Sequence, residues 1–230
     1  MTRPRLSVAL IGPDGAGKST VSALLEQSSL PRPVKRIYMG VNLEASSLML
    51  PTTRLLMAAK KARGGRPDMV AGDTLGTRSE SPAKGIKSGA KQAARLAVWM
   101  TEEWLRQLVA AFYSARGYIV IFDRHFFADY YHSHVQQAPT GSRLNRLHGW
   151  MLEHAYPKPS LVVCLDAPAD VLYARKGEAD PDWLAARRQQ YLELAAVVPS
   201  FATVDAGQPL DAVLSDVVGH IRDRWEAMSA

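Results

Sequence analysis

The chain has 230 residues, 47% of them apolar, 22% charged, and a formal net charge of +6. That length and composition suit a well-buried globular domain. No apolar run approaches the roughly 20 residues that span a bilayer, and the lone Cys164 excludes an intrachain disulfide.

The first element is "RLSVALIG" (5–12), an apolar, β-branched run that reads as a buried strand. The segment starts basic but has no long apolar stretch or cleavage site, so no signal peptide is expected and a cytoplasmic location is. The strand runs into "GPDGAGKST", which fits G-x-x-x-x-G-K-[ST] through Gly12, Gly17, Lys18 and Ser19. Glycines let such a loop bend tightly and turn its N–H groups onto an anion. Lys18 is expected to reach β- and γ-phosphates, and Ser19 to ligate Mg²⁺. The cradle comprises Gly12, Pro13, Asp14, Gly15, Ala16, Gly17, Lys18, Ser19 and Thr20. Residues 20–29 carry apolar side chains at helical spacing, and the helix N-terminus adds a dipole that favours negative charge.

A second strand is expected over 34–39, and a helix interrupted near Pro51 over 43–62. Residues 63–88 are rich in Gly, Ser, Pro and Lys, too long for an ordinary connection, and are expected to be disordered or a functional lid. Residues 54–95 hold ten Lys and Arg against three Asp and Glu, so the basicity is local. No nucleic-acid recognition motif accompanies that charge, so a solvated basic segment is the reading and nucleic acid is not an expected partner. Residues 88–116 form the longest helical pattern, with positions 94, 97, 98, 101, 105, 108, 109 and 112 tracing one apolar or Ala-bearing face.

The third strand, "YIVIFD" (118–123), ends in Asp123 and is followed at once by Arg124. That pair offers a carboxylate for a metal and a guanidinium fork for an acceptor phosphate. In the next run, His125, His132 and His134 with Asp129 lack metal-ligand spacing and read as satisfied or pocket-lining groups. Phe126, Phe127, Tyr130 and Tyr131 read as core. Helices are expected over 145–155, 168–176, 181–197 and 209–225, with strands over 161–166 and 201–205. Asp166 reads as a helix N-cap and Cys164 as inert core. Arg175, Lys176, Arg187 and Arg188 surround a short polar turn, where closing Arg groups could stabilise transferred phosphoryl charge. Strands alternating with helices imply an α/β fold, a parallel five-stranded sheet with helices on both faces.

Four pieces, "GPDGAGKST", "IVIFDRH", "LDAPADVLYARKGE" and "VDAGQPLDAVLSDV", together resemble thymidylate kinase and its divergent bacterial relatives. The resemblance implies a single P-loop nucleoside-monophosphate-kinase domain over 1–230, with ATP as donor, Mg²⁺ as cofactor and a homodimer as assembly. It implies that Asp14 contacts an acceptor sugar hydroxyl and that Asp123 and Arg124 lie near the acceptor phosphate. It implies that Arg175 begins a short lid (175–188) and that Ala206 and Gly207 cradle adenine. Lys18, Asp123, Arg124 and Arg175 are then the expected catalytic residues, and Ser19 and Asp123 the metal ligands. The expected acceptor is a small molecule, most simply a monophosphate such as dTMP.

The sequence departs from that pattern on the acceptor side. "YMGVNLEASS" (38–47) stands where the family has a Glu-Pro-Gly-Gly-type segment. Ala128 replaces a Ser, and Tyr131-His132-Ser133 replaces an Ala-Tyr-Gln triplet. A sugar phosphate or nucleoside is therefore an alternative acceptor. A hydrolysing switch or transporter ATPase would need N-K-x-D or "LSGGQ"-like stretches, which are missing. A non-catalytic nucleotide-binding protein is opposed by the intact Lys18, Ser19, Asp123 and Arg124.

Overall fold

The computed structural model describes residues 4–40, 50, 87–136, 143–177 and 180–230, with the side chains of 87–95, 143 and 144 left aside. The expected helix over 43–62 and the insertion at 63–88 lie outside the described residues, save that 87 and 88 open a helix. Five strands, β1 (Ser7–Ile11), β2 (Val34–Tyr38), β3 (Ile119–Asp123), β4 (Leu161–Asp166) and β5 (Phe201–Asp205), form one parallel sheet. Its order is β2-β3-β1-β4-β5. The helices are α1 (Lys18–Leu25), α2 (Lys87–Ala115), α3 (Phe126–Tyr130), α4 (Arg143–His154), α5 (Ala169–Lys176), α6 (Pro181–Glu193) and α7 (Leu210–Ser229). A π-helical turn, Tyr131–Gln136, follows α3 directly.

Parallel strands covered on both faces need side chains that are apolar in both directions. Along β1, Val8 and Leu10 face one core with Val21 and Leu25 of α1, Leu172 of α5 and Val213, Val217 and Ile221 of α7. Ala9 and Ile11 face the other, with Ala110 of α2, Phe126 and Tyr130 of α3 and Leu152 of α4. Cys164 belongs to this second core, where burial pushes its thiol up to about 12. Among the described residues no helix is long and apolar enough to cross a membrane.

Local chemistry sets the helix ends. Asp180 caps α6 by accepting the N–H groups of Asp182 (2.8 Å) and Trp183 (3.4 Å), with Pro181 at the first helical position. Gly177 ends α5 in the left-handed conformation (φ 64°) and donates to the Tyr173 carbonyl at 2.8 Å.

Two sequence expectations are corrected. The apolar face assigned to 88–116 is not the buried one: Leu108 and Phe112 are exposed, while Glu102, Glu103, Arg106 and Gln107 are buried with Ala110. The polar face turns inward because it lines a cavity described below. Asp166 does not cap α5, whose N-cap is Pro168 without a side-chain bond. Its carboxylate instead takes a two-pronged bond from Arg188, Nε at 2.5 Å and Nη2 at 2.7 Å. That fork ties α6 to the end of β4.

The β1–α1 turn leaves no room for a side chain at Gly12, where φ is 133° and an added Cβ would lie 2.2 Å from the Leu165 carbonyl oxygen. Gly12→Ala is expected to cost about 3 kcal/mol in chemical denaturation, from strain and the backbone clash together. Gly219, inside α7 with nothing within 4 Å of the added carbon, supplies the control. Gly219→Ala should stabilise by about 0.5–1 kcal/mol.

Candidate active site

The carboxyl ends of β1 and β3 lie side by side, with Leu10 paired to Asp123. Ligands of open α/β sheets bind outside such ends. Beyond β1, Gly12, Gly15 and Gly17 adopt φ of 133°, 88° and 84°, and Gly17 caps α1. These left-handed steps wrap the loop around Lys18, whose side chain is almost wholly buried. Its Nζ donates to the carbonyls of Gly12 (2.7 Å) and Pro13 (2.6 Å). Burial, reinforced by Arg124, pushes the Lys18 pKa down to about 8 against the pull of Asp14, Asp129 and Asp123.

Ser19 and Thr20 are exposed in the first turn of α1. Ser19 Oγ donates to Asp123 Oδ1 at 3.2 Å, and Asp123 Oδ2 lies 4.0 Å from Arg36 Nη1. A hydroxyl and a buried carboxylate brought together at a helix N-terminus are a hard-oxygen pair that fits a small divalent cation.

Arg124 follows with φ 68°, the one non-glycine residue of positive φ among those described. Its N–H still donates to the Leu10 carbonyl at 3.2 Å, so the strained step hangs from the β1 edge. Its Nη2 donates to Asp14 Oδ1 at 2.7 Å. Burial would lower the Arg124 pKa, but Asp14 and Asp129 outweigh it and hold the guanidinium above its ordinary value. Burial likewise opposes ionisation of Asp14, and Arg124 and Lys18 reverse the balance, so its carboxyl lies below the usual value. The expected acceptor-side residues Asp14, Asp123 and Arg124 are thus together with the loop.

Arg175 sits elsewhere. Its Nη1 donates to the Ala206 carbonyl at 2.8 Å, which joins the end of α5 to the Ala206–Gly207 turn after β5. The Ala206 N–H in turn donates to the Asp166 carbonyl at 2.6 Å, and Gly207 N–H to Asp205 Oδ1 at 2.8 Å. Of the span 175–188, residues 178 and 179 lie outside the described residues, and the rest is the end of α5 and the start of α6. Arg187 and Arg188 are engaged: Arg188 on Asp166, Arg187 on the Asp129 carbonyl (3.3 Å) and Tyr191 hydroxyl (3.2 Å), with the Asp129 carboxylate 3.5 Å away.

Several groups absent from the sequence-based site stand out. Beside Arg124, Gly40 is pressed against it: an added Cβ would lie 2.8 Å from Arg124 Cδ and 2.6 Å from the Tyr38 hydroxyl. The Gly40 carbonyl accepts from Arg106 Nη1 at 3.0 Å. There a cavity opens, lined by Trp99, Glu102, Glu103 and Arg106 of α2 with Phe126 and Tyr130 of α3. Glu102 Oε2, Arg106 Nε and Nη2 and the Tyr130 hydroxyl are buried there without a partner among the described residues. Buried polar atoms are ordinarily paired, and the open space beside these is about that of one water molecule. The signal was in the sequence as "EEWLRQ", a charged face on an apolar helix, but spacing alone could not say which face turned inward.

His125, His132 and His134 each make a hydrogen bond, while His125 Nε2 is buried without a partner among the described residues. His125 caps α3 by accepting the Phe127 N–H at 3.2 Å, and burial pushes its pKa down to about 3. His134 Nδ1 lies 2.7 Å from His148 Nδ1. His132 Nδ1 lies 2.7 Å from Gln136 Oε1. No group of three or more metal-ligating side chains occurs among the described residues.

No protein-family model matches the chain. Among solved structures it is similar to the thymidylate kinase of Candida albicans, at 18% identity and a TM-score of 0.60, covering 100% of this chain and 93% of that one. It is also similar to the deoxyadenosine kinase of M. mycoides with bound dCTP, at 13% identity and a TM-score of 0.51, covering 95% of this chain and 100% of that one. The fold is that of the thymidylate kinase-like P-loop kinases.

A cation whose folded pKa is depressed is costly while protonated, and the cost disappears as pH rises from the folded toward the unfolded pKa. Lys18 should therefore add roughly 1.5 kcal/mol of stability between pH 8 and 9.5. Lys18→Met should lose that increment, measured by urea denaturation of both proteins at the two pH values.

Proposed function

We propose that this protein transfers the γ-phosphoryl group of ATP to a small nucleoside-type acceptor, most simply a nucleoside monophosphate of the dTMP kind. One observation carries the reading: the adjacent strand-end residues Asp123 and Arg124 both bond to the phosphate loop and its helix, Asp123 through Ser19 and Arg124 through Asp14, so a carboxylate and a guanidinium stand together at the donor's phosphates. A donor site alone would need no guanidinium fork at that strand end.

The loop N–H groups and Lys18 bind the donor phosphates. In exchanging the Gly12 and Pro13 carbonyls for phosphate oxygens, the Lys18 ammonium trades weak neutral partners for charged ones. Ser19 and Asp123 would hold Mg²⁺, which when bound neutralises charge on the donor's phosphate oxygens. Arg175 and the Ala206–Gly207 turn fit the adenine end of the donor. Arg124 clamps the acceptor's anionic group. Its present partner Asp14 shares that charge, so the acceptor phosphate competes with a carboxylate and the fork is kept charged and aimed until it arrives.

A second acceptor chemistry, an unphosphorylated hydroxyl, is favoured by Asp129. Tyr191 donates to its Oδ1 at 2.9 Å, while Oδ2 is buried without a partner among the described residues. A phosphate oxygen needs no base, whereas an alcohol must give up its proton, and Oδ2 would accept it. The two similar structures are named for these two acceptor types, thymidylate and deoxyadenosine.

An ADP-release panel of dTMP, dUMP, UMP, CMP, sugar phosphates and unphosphorylated nucleosides separates the two chemistries, and no stimulation by any of them would refute the reading. Lys18→Ala should lower turnover about a hundredfold or more with the fold intact by circular dichroism. Arg124→Lys keeps the charge but loses the fork, so the acceptor KM should rise about tenfold while the ATP KM changes little. Equal effects on both would move Arg124 to the donor side.

A further inference from the structure

Arg36 lies between two carboxylates beside the end of β3. In the β2–β3 ladder it pairs with Ile121, and Tyr38 pairs with Asp123. Side chains alternate along a strand, so Arg36 shares the sheet face of Ile121 and Asp123. Ile121 belongs to the core packed against α1. Arg36 Nε is 3.5 Å from Oε2 of Glu26, the residue that ends α1, and its Nη1 is 4.0 Å from Asp123 Oδ2. Its backbone N–H also donates to Glu26 Oε1 at 3.3 Å. Glu26 thus holds both the backbone and the side chain of Arg36, while Asp123 has the longer contact.

Stability is a weak reason for this arrangement. Arg36 and Glu26 are each 37% exposed, so water screens their attraction. Asp123 is placed differently. Its side chain is 6% exposed, and its other oxygen accepts from the Ser19 hydroxyl at 3.2 Å. A charge facing a nearly buried carboxylate is screened much less than one in water. That carboxylate and Ser19 are also the hard-oxygen pair that fits a divalent cation. A guanidinium beside the outer oxygen repels such a cation. The donor's phosphates reverse the balance, because they bring several negative charges at once. Glu26 offsets part of the Arg36 charge and so sets how strong the opposition is.

We infer that Arg36 is a positioning residue for the metal: it keeps Asp123 from capturing a bare divalent cation, so that metal and nucleotide enter together, and Glu26 tunes that restraint. The inference rests on the reading of Ser19 and Asp123 as the metal pair and is independent of which acceptor is used.

The test titrates the full chain with Mn²⁺, which shares the preference of Mg²⁺ for hard oxygens, at low ionic strength. Free Mn²⁺ is read by electron paramagnetic resonance, without nucleotide and with saturating ADP. Arg36→Met keeps the stem but not the charge, and should tighten nucleotide-free Mn²⁺ binding about tenfold. Adding Asp123→Asn should abolish that gain. Arg36→Lys keeps the charge and should stay within about threefold of the wild type. Glu26→Gln should act in the opposite direction and weaken binding about threefold. With ADP bound, the gain from Arg36→Met should shrink to within about threefold. Unchanged affinity in Arg36→Met, a gain that survives Asp123→Asn, or an equal gain with and without ADP would overturn the inference. Should Arg36→Met fail to fold, Glu26→Gln must still weaken nucleotide-free binding, and no change overturns the inference equally. If Asp123→Asn alone leaves Mn²⁺–ADP binding unchanged, the metal reading fails and the inference with it. A chain that binds Mn²⁺–ADP through Asp123 yet phosphorylates no acceptor of the panel loses only the kinase reading.

Discussion

An ammonium group sunk into a protein must be surrounded by oxygens, and the burial of Lys18 imposes that demand on the centre of this fold. Neutral carbonyls meet part of it, because the glycine-rich turn bends back until Gly12 and Pro13 face the side chain. Carboxylates meet the rest from a distance: Asp14 in the loop, Asp123 at the end of β3 and Asp129 in α3. Two of these come from the end of β3 and the chain beyond it. The pairing of β3 beside β1 is therefore both a sheet contact and the arrangement that lets the loop keep a charge inside.

From there, charge alternates outward. Asp14 faces Arg124, Asp129 faces Arg187, and Asp166 faces Arg188. Each carboxylate lies on or just after the central strands or in the loop. Arg187 and Arg188 belong to α6, so adjacent residues of one helix grip two separate elements, α3 and the end of β4. A helix held this way is placed by directional contacts as well as by Leu184 and Tyr191, which it buries in the two cores. Arg188 is a little over a third exposed, so water screens its ion pair and its value lies mainly in geometry.

The strands and the phosphate loop were legible because their constraints are local. A buried parallel strand must be continuously apolar, and a tight anion-binding turn must contain glycines at fixed intervals. The position of Arg124 after Asp123 was equally local. What escaped was set by contacts between distant segments. The inward face of α2 carries Glu102, Glu103 and Arg106, and apolar periodicity pointed to the opposite side, where Leu108 and Phe112 are exposed. The segment 126–136 is apolar on nearly every side of α3, so no stripe marked it as helical. His148 gave no sign of Glu103, since 45 residues separate them. Asp166 looked like a cap because a helix follows it, yet a guanidinium from α6 claimed it first. The kinase-like fold was readable from the four motifs; the acceptor side, where the motifs depart, was not.

Arg124 holds a backbone conformation that glycine adopts without cost and arginine adopts at the expense of about 1–2 kcal/mol. The side chain proposed as the clamp and the backbone that carries it are thus in conflict at one position. Selection for heat resistance alone would find the substitution Arg124→Gly attractive, since it relaxes the backbone and frees a crowded Gly40. Such a protein would keep the sheet and the loop but leave Asp14 without its partner. On the proposed reading, directed evolution of this scaffold for stability would have to follow acceptor use as well, because a change that relaxes this backbone also removes the clamp.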